Sequence, residues 1–149
     1  MSTNDEASAI SSLLQAQWSL GSPTAAQILW AITRFDSATF LASSQSYAIG
    51  IYNPASPTTV IPMCREAWQE IERVHVDILV KVTSNSTPAA ATVIREAMKL
   101  EVYRILHLYQ LQITGILDAY VERELNKTEG QDLVRITLQV ACVNFHVQT

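Results

Sequence analysis

Long hydrophobic runs are missing from this chain. Nowhere in its 149 residues do about 18 apolar positions follow one another, so no membrane-spanning helix is expected. Charge is scarce too: Asp, Glu, Lys and Arg make up 16% of the residues, against about 25% in typical soluble proteins. The net charge of −4 argues against nonspecific attraction to nucleic acid or anionic lipid over the whole surface, and leaves room only for a local basic cluster. The two cysteines, Cys64 and Cys142, belong to no Cys-x-x-Cys pattern, which speaks against a zinc site or a redox dithiol and predicts two buried small hydrophobes in a reducing compartment. The four glycines form no phosphate-cradling loop, and no serine or cysteine sits in a nucleophile elbow. The polar, acidic start from Met1 to Ala9 does not read as an export signal, so a cytoplasmic protein is expected.

What is present is hydrophobic periodicity. Thr3 and Glu6 have capping-box spacing, and Ile10, Leu13, Leu14 and Trp18 share a face, which predicts a first helix ending near Leu20 before Gly21. Ser22 and Pro23 repeat the start signal for a second helix to about Arg34 through Ile28, Leu29 and Ile32, and Asp36 is a cap for a short third one through Leu41. Residues 46–62, rich in aromatic and β-branched side chains around Asn53-Pro54 and Pro57, read as two short strands whose prolines place them at an edge. From Cys64 to about Thr83, Ala67, Ile71, Val74, Ile78 and Val82 make a stripe opposite Glu66, Glu70, Arg73 and Asp77, the pattern of a half-exposed helix.

Ser86, Thr87 and Pro88 mark the start of a helix that the apolar pattern carries to Asn126, oily on most of its circumference. Straight, it would run about 58 Å, so it should project or kink at Gly115. With its predecessor it should form an antiparallel helical hairpin. The tail from Leu133 to Val147 alternates in two phases around Ala141-Cys142, as a bulged strand does. The expected fold is therefore mainly α: one domain over residues 1–149, an antiparallel helix bundle with one long central helix and a small β-element.

No catalytic set stands out. Glu72 and His75 have the Glu-x-x-His spacing of dimetal bundles, but the second half of such a site is missing, and no metal or cofactor is expected. His107 is a lone histidine, Glu101 and Arg104 have the spacing of a local ion pair, and the tryptophans at 18, 30 and 68 read as core anchors. Arg95, Lys99 and Arg104 lie near the start of the long helix; repeated in every subunit of an array they would form a basic track for RNA. Tyr109 and Ile113 lie on the apolar circumference that three short helices are too small to cover, which predicts a homo-oligomer interface there.

Tyr52-Asn53-Pro54-Ala55-Ser56-Pro57 through Val60 and Pro62, together with Asn85-Ser86-Thr87-Pro88 leading into a helix with Arg95 near its start, resemble the coat proteins of rod-shaped plant viruses of the tobacco mosaic type. The family's adjacent arginine pair is represented only by Arg95, and its Phe-Glu pair near the C-terminus is absent, Phe145 being followed by His146. The resemblance implies two helix pairs with a small sheet, a virion subunit stacking around single-stranded RNA, and Arg95 as a phosphate contact. The expected function is thus a non-enzymatic capsid-type structural protein that self-assembles and packages RNA. The alternatives are a dimeric helical adaptor and a small helical enzyme or ligand-binding protein with a pocket in the bundle.

Overall fold

The computed structural model describes residues 5–55, 59–64, 67–83, 87–109 and 118–147. Six strands dominate it: β1 (Ile28–Ala31), β2 (Tyr47–Tyr52), β3 (Thr59–Cys64), β4 (Ala67–Lys81), β5 (Asp118–Glu129) and β6 (Leu133–Val147). Three helices accompany them: α1 (Asp5–Gln17), α2 (Ser37–Ala42) and α3 (Pro88–Tyr109). The strands form one sheet in the order β1-β2-β4-β6-β5, with β3 beside the first part of β4 along the margin that β2 occupies further on. Only the β1–β2 pair is parallel. The mainly α helix bundle expected from the sequence is corrected by this mixed sheet, and with it the two helix pairs that the coat-protein resemblance implied.

The largest correction is at β4, where a helix was expected from Cys64 to Thr83. Val74 and Ile78 satisfy both a helical and a strand period, because four residues is one helical turn and also two strand repeats. Val76 and Val80 decide between them: in a strand they join Val74 and Ile78 on one face, while His75, Asp77, Leu79 and Lys81 take the other. All four valine and isoleucine side chains are completely buried. β6 pairs with β4 along its entire length, from Ala67 opposite Val147 to Lys81 opposite Leu133, and supplies Val134, Ile136, Leu138 and Val140 to the same face. That partner is more than fifty residues away in the chain, so the choice between periods is made by tertiary contact. The tail is a strand as expected, but without the bulge expected at Ala141-Cys142: β6 pairs with β4 in unbroken register through both residues, and the register shifts fall on β5 instead, between Val121 and Arg123 and between Leu125 and Thr128.

The long helix is divided. α3 begins as expected, with the Thr87 hydroxyl oxygen accepting the Ala90 N–H at 3.1 Å and Pro88 at the first helical position, and is described as helix as far as Tyr109. Residues 118–126 are strand; Gly115 lies outside the described residues. The seemingly continuous apolar circumference is two patterns in succession, a helix and then a strand that buries Ala119 while exposing Tyr120. Instead of a helical hairpin, β4 leads to a helix lying across the sheet. The predicted second helix is also absent: the Ser22–Pro23 peptide is cis, residues Ala25–Gln27 make one 3-10 turn, and β1 follows. The Asp36-capped α2 is where the sequence placed it; α1 ends at Gln17, short of Leu20, and Thr3 of its expected capping box lies outside the described residues.

α1 and α3 cover one face of the sheet, with Ile10, Leu14, Met98, Val102 and Ile105 packed over the buried residues of β4 and β6. On the opposite face, Phe40 of α2 packs on Ala48 and Leu79. The chain reaches α2 by crossing Gly50, where an added Cβ would lie 2.3 Å from the Thr33 carbonyl oxygen. Beyond α2 this face carries the half-buried polar residues Tyr52, Arg73, His75 and Gln139 beside the buried Ala141 and Val143.

Candidate functional site

The three cations proposed for RNA are held by carboxylates. Arg95 is 0% exposed; its guanidinium donates to the Thr128 carbonyl at 3.0 Å and to Glu96 at 2.9 Å, and reaches Glu129 at 3.4 Å. Lys99 bridges Glu96 at 2.6 Å and Glu124 at 2.9 Å, and the hydrogen bond it donates to Glu96 raises its pKa against the opposing effect of burial. Arg104 pairs with Glu101 at 2.6 Å and donates to the Gln17 carbonyl at 2.9 Å, which closes the end of α1. Burial pushes the Glu101 carboxyl up, but hydrogen bonds from Arg104 and Ser19 outweigh it and hold it below its ordinary range. The spacing of these residues on α3 and the local Glu101–Arg104 pair were legible; the partners on β5 were not, since the sequence pattern placed Glu124 on the same helix and Glu129 in the turn after it. The outcome is an ion-pair seam joining α3 to β5 and α1, with Arg95 withdrawn from any ligand surface.

Of the two residues proposed for an oligomer interface, Tyr109 is half-buried against the core at the end of α3, and Ile113 lies outside the described residues. Glu72 and His75 fall on opposite faces of β4, because three residues along a strand is an odd number of repeats, so they cannot share an ion. Cys142 is buried as expected, its thiol pushed up to about 12 by burial. Cys64 is exposed at the end of β3, which corrects the expectation of two buried cysteines.

Two polar clusters that the sequence did not reveal occupy the open side of the sheet. Under α2, Asp77 is fully buried and accepts from both ends of the Arg135 guanidinium and from the Thr137 hydroxyl at 3.0 Å; Arg135 also donates to the Phe35 carbonyl at 2.9 Å. This fork fastens the 33–37 segment to the sheet. Beside it, His75 lies 3.3 Å from the Tyr52 hydroxyl, Gln139 donates to Glu122 at 2.7 Å, and Arg73 pairs with Glu122 at 3.3 Å while donating to Thr59. Burial lowers the His75 pKa, and burial together with the charge of Asp77 raises that of Tyr52. The side chains in this second cluster are bonded to one another, leaving no acid, base and nucleophile converging on a shared point.

The other unforeseen feature is apolar. All six residues of β3 are exposed, none is charged, and Val60, Ile61 and Met63 are between 41% and 57% open to solvent. β3 pairs with β4 on one side only, so its outer backbone edge is without a strand partner among the described residues. The prolines that mark residues 46–62 as edge segments were the available signal; the exposure of three large apolar side chains together was not readable without knowing which face β4 covers.

Concavities in the described residues are small and open. One of about 190 Å³ is lined by Tyr103, Leu106, His107, Ala119, Tyr120 and Val121, and another of about 270 Å³ lies between α1 and β1. Both fall below the roughly 300 to 1,000 Å³ of ordinary small-molecule sites. No helix among the described residues is long and apolar enough to cross a membrane. Comparison with models of known protein families and with curated proteins gives no match for this chain.

Proposed function

We propose that the protein is a non-enzymatic structural subunit that assembles with copies of itself, and that β3 is a contact in that assembly. The observation that carries this is the uncharged, wholly exposed edge strand with Val60, Ile61 and Met63 open together. Soluble proteins blunt such edges with charge, covering loops or brevity, because a bare edge templates pairing with another chain. β3 has Pro62, which removes one backbone donor, and a register shift between Pro62 and Cys64, and these limit indefinite extension without adding charge. The low overall charge supports the same reading, since a surface poor in repulsive groups favours association. A coat-type role is its specific form. RNA packaging is a separate matter: Arg95, Lys99 and Arg104 are engaged within the subunit, so it would need other residues or released ion pairs.

Light scattering over a range of concentration, with negative-stain microscopy at pH 5 to 8 with and without RNA, tests the proposal. Assemblies that shrink when Val60 and Met63 are both replaced by Glu are expected. A 16.5 kDa species at high concentration in the unaltered protein would overturn it, as would assemblies indifferent to the double replacement. Protein-only assemblies would separate self-association from packaging, and discrete dimers under all conditions would favour an adaptor.

A further inference from the structure

A second surface carries a more specific inference. α3 buries Ala91, Met98, Val102, Ile105 and Leu106 in the core, so its opposite side faces solvent, and that side is not polar. Along it run Ala89, Val93, Ala97, Leu100, Arg104 and Leu108 at helical spacings of three and four. Val93, Leu100 and Leu108 are 58% to 69% exposed, the most open large apolar side chains on any helix here. Arg104, the one ionic member of the line, is drawn toward Glu101 and the end of α1, which leaves its aliphatic stem along the surface.

The order of sizes has a symmetry. The midpoint of α3 lies between Met98 and Lys99. Reversing the line about that point places Ala89 opposite Leu108, Val93 opposite the Arg104 stem, and Ala97 opposite Leu100. Each pair sets a smaller side chain against a larger one, the relation by which facing helices interdigitate. A two-fold axis through the midpoint meets this condition on both copies at once, as an isologous interface requires. It also sets the Glu96–Lys99 ion pair of one copy beside the same pair of the other at the rim.

We infer that the outer face of α3 pairs antiparallel with α3 of a second copy, about a two-fold axis at the helix midpoint. This rests on the self-assembly reading and adds a partner, a surface and a register. The face is about 33 Å long and about 10 Å wide, or roughly 330 Å² of helix footprint per copy. That is small beside the 1,200 Å² or so of total burial in stable interfaces. The pairing is accordingly weak and reversible alone, and gains strength when β3 supplies a second point of attachment between the same assemblies.

The test starts from the full chain unaltered, with Val60→Glu and Met63→Glu, with Leu100→Glu, and with all three replacements together, circular dichroism confirming the fold of every variant. The β3 variant should retain a concentration-dependent dimer, and adding Leu100→Glu should weaken it by about tenfold or more, since an unpaired carboxylate would be buried at its centre. Ala97→Leu should also weaken that dimer by placing two large side chains in opposition. Ala97→Leu with Leu100→Ala should restore it, because the sizes are exchanged and the complementarity returns. A monomeric β3 variant, or a dimer insensitive to Leu100→Glu, would overturn the helix pairing and leave the β3 reading standing. Failure of the double exchange to restore what Ala97→Leu removes would overturn the register. A monomeric unaltered protein would remove both.

Discussion

The strands β3 and β5 belong to one sheet, both have an outer edge, and they are chemically opposite. β5 carries Asp118, Glu122, Arg123, Glu124, Lys127 and Glu129, whereas β3 carries no charge at all. The charges of β5 are turned to internal use: Glu124 and Glu129 meet Lys99 and Arg95 of α3, and Glu122 meets Arg73 of β4. An edge of this kind resists pairing with a stranger because docking would bury or displace charges that already have partners. β3 offers apolar side chains and a backbone with no such cost. The difference teaches that edge protection here is local, strand by strand, so stability and association should respond to different residues.

Arg95→Ala should have the largest effect on stability, about 3 to 5 kcal/mol, because it empties a fully buried site and strands the Thr128 and Arg135 carbonyls that the guanidinium serves. Urea unfolding followed by circular dichroism measures it, and a cost within experimental scatter would contradict the structural role of the seam. Gly50→Ala should come next, at about 1 to 3 kcal/mol, since the new methyl group meets a backbone oxygen and the Phe35 ring on the opposite side of the sheet from α3. Glu122→Ala, which removes a partly exposed charge from β5, should cost about 1 kcal/mol or less. The β3 replacements Val60→Glu and Met63→Glu should change stability by about 0.5 kcal/mol or less while reducing assembly, the reverse of the β5 pattern. A β3 variant that unfolds would show that these side chains serve the subunit rather than its neighbours.

Acid should destabilise the fold in two windows. Hydrogen bonds from Lys99 and Arg95 to Glu96, and from Gln139 and Arg73 to Glu122, outweigh burial and hold both carboxyls below their ordinary value of 4.5. Such groups stabilise the fold above that pH, and the contribution is lost as pH falls through the lowered native values. His75, lowered beneath 6.5 chiefly by burial, acts in the same direction at a higher window: below 6.5 the unfolded chain takes up the proton more readily, so stability declines as the solution is acidified. Thermal unfolding scanned from pH 7 to pH 4 should therefore show a falling midpoint, with the upper part of the slope reduced in His75→Gln.

Much of the local structure was legible because it rests on neighbours in the chain. The Asp36 cap, the Thr87-Pro88 start and the extended character of residues 47–52 and 59–64 are set within a few residues by hydrogen-bonding side chains and fixed backbone angles. The candidate site was less legible. Arg95, Lys99 and Arg104 look like a basic track on a helix; the Glu101–Arg104 pair was legible from its spacing, but Glu124 and Glu129, which hold Lys99 and Arg95, are supplied by the return of β5 alongside that helix.

Composition and local pattern by themselves determined where α2 and α3 begin, where prolines and glycines interrupt the chain, and that charge is too sparse to cover the surface. They could not determine whether Val74 and Ile78 belong to a helix or a strand, because both periods pass through those positions. That choice fell to β6, which pairs with β4 over all fifteen residues and completes the face on which α1 and α3 pack. The same non-local pairing left β3 bare and closed β5 with ion pairs. Backbone hydrogen bonds in a sheet are made between distant segments, and so which edge stays open is decided by the tertiary structure alone.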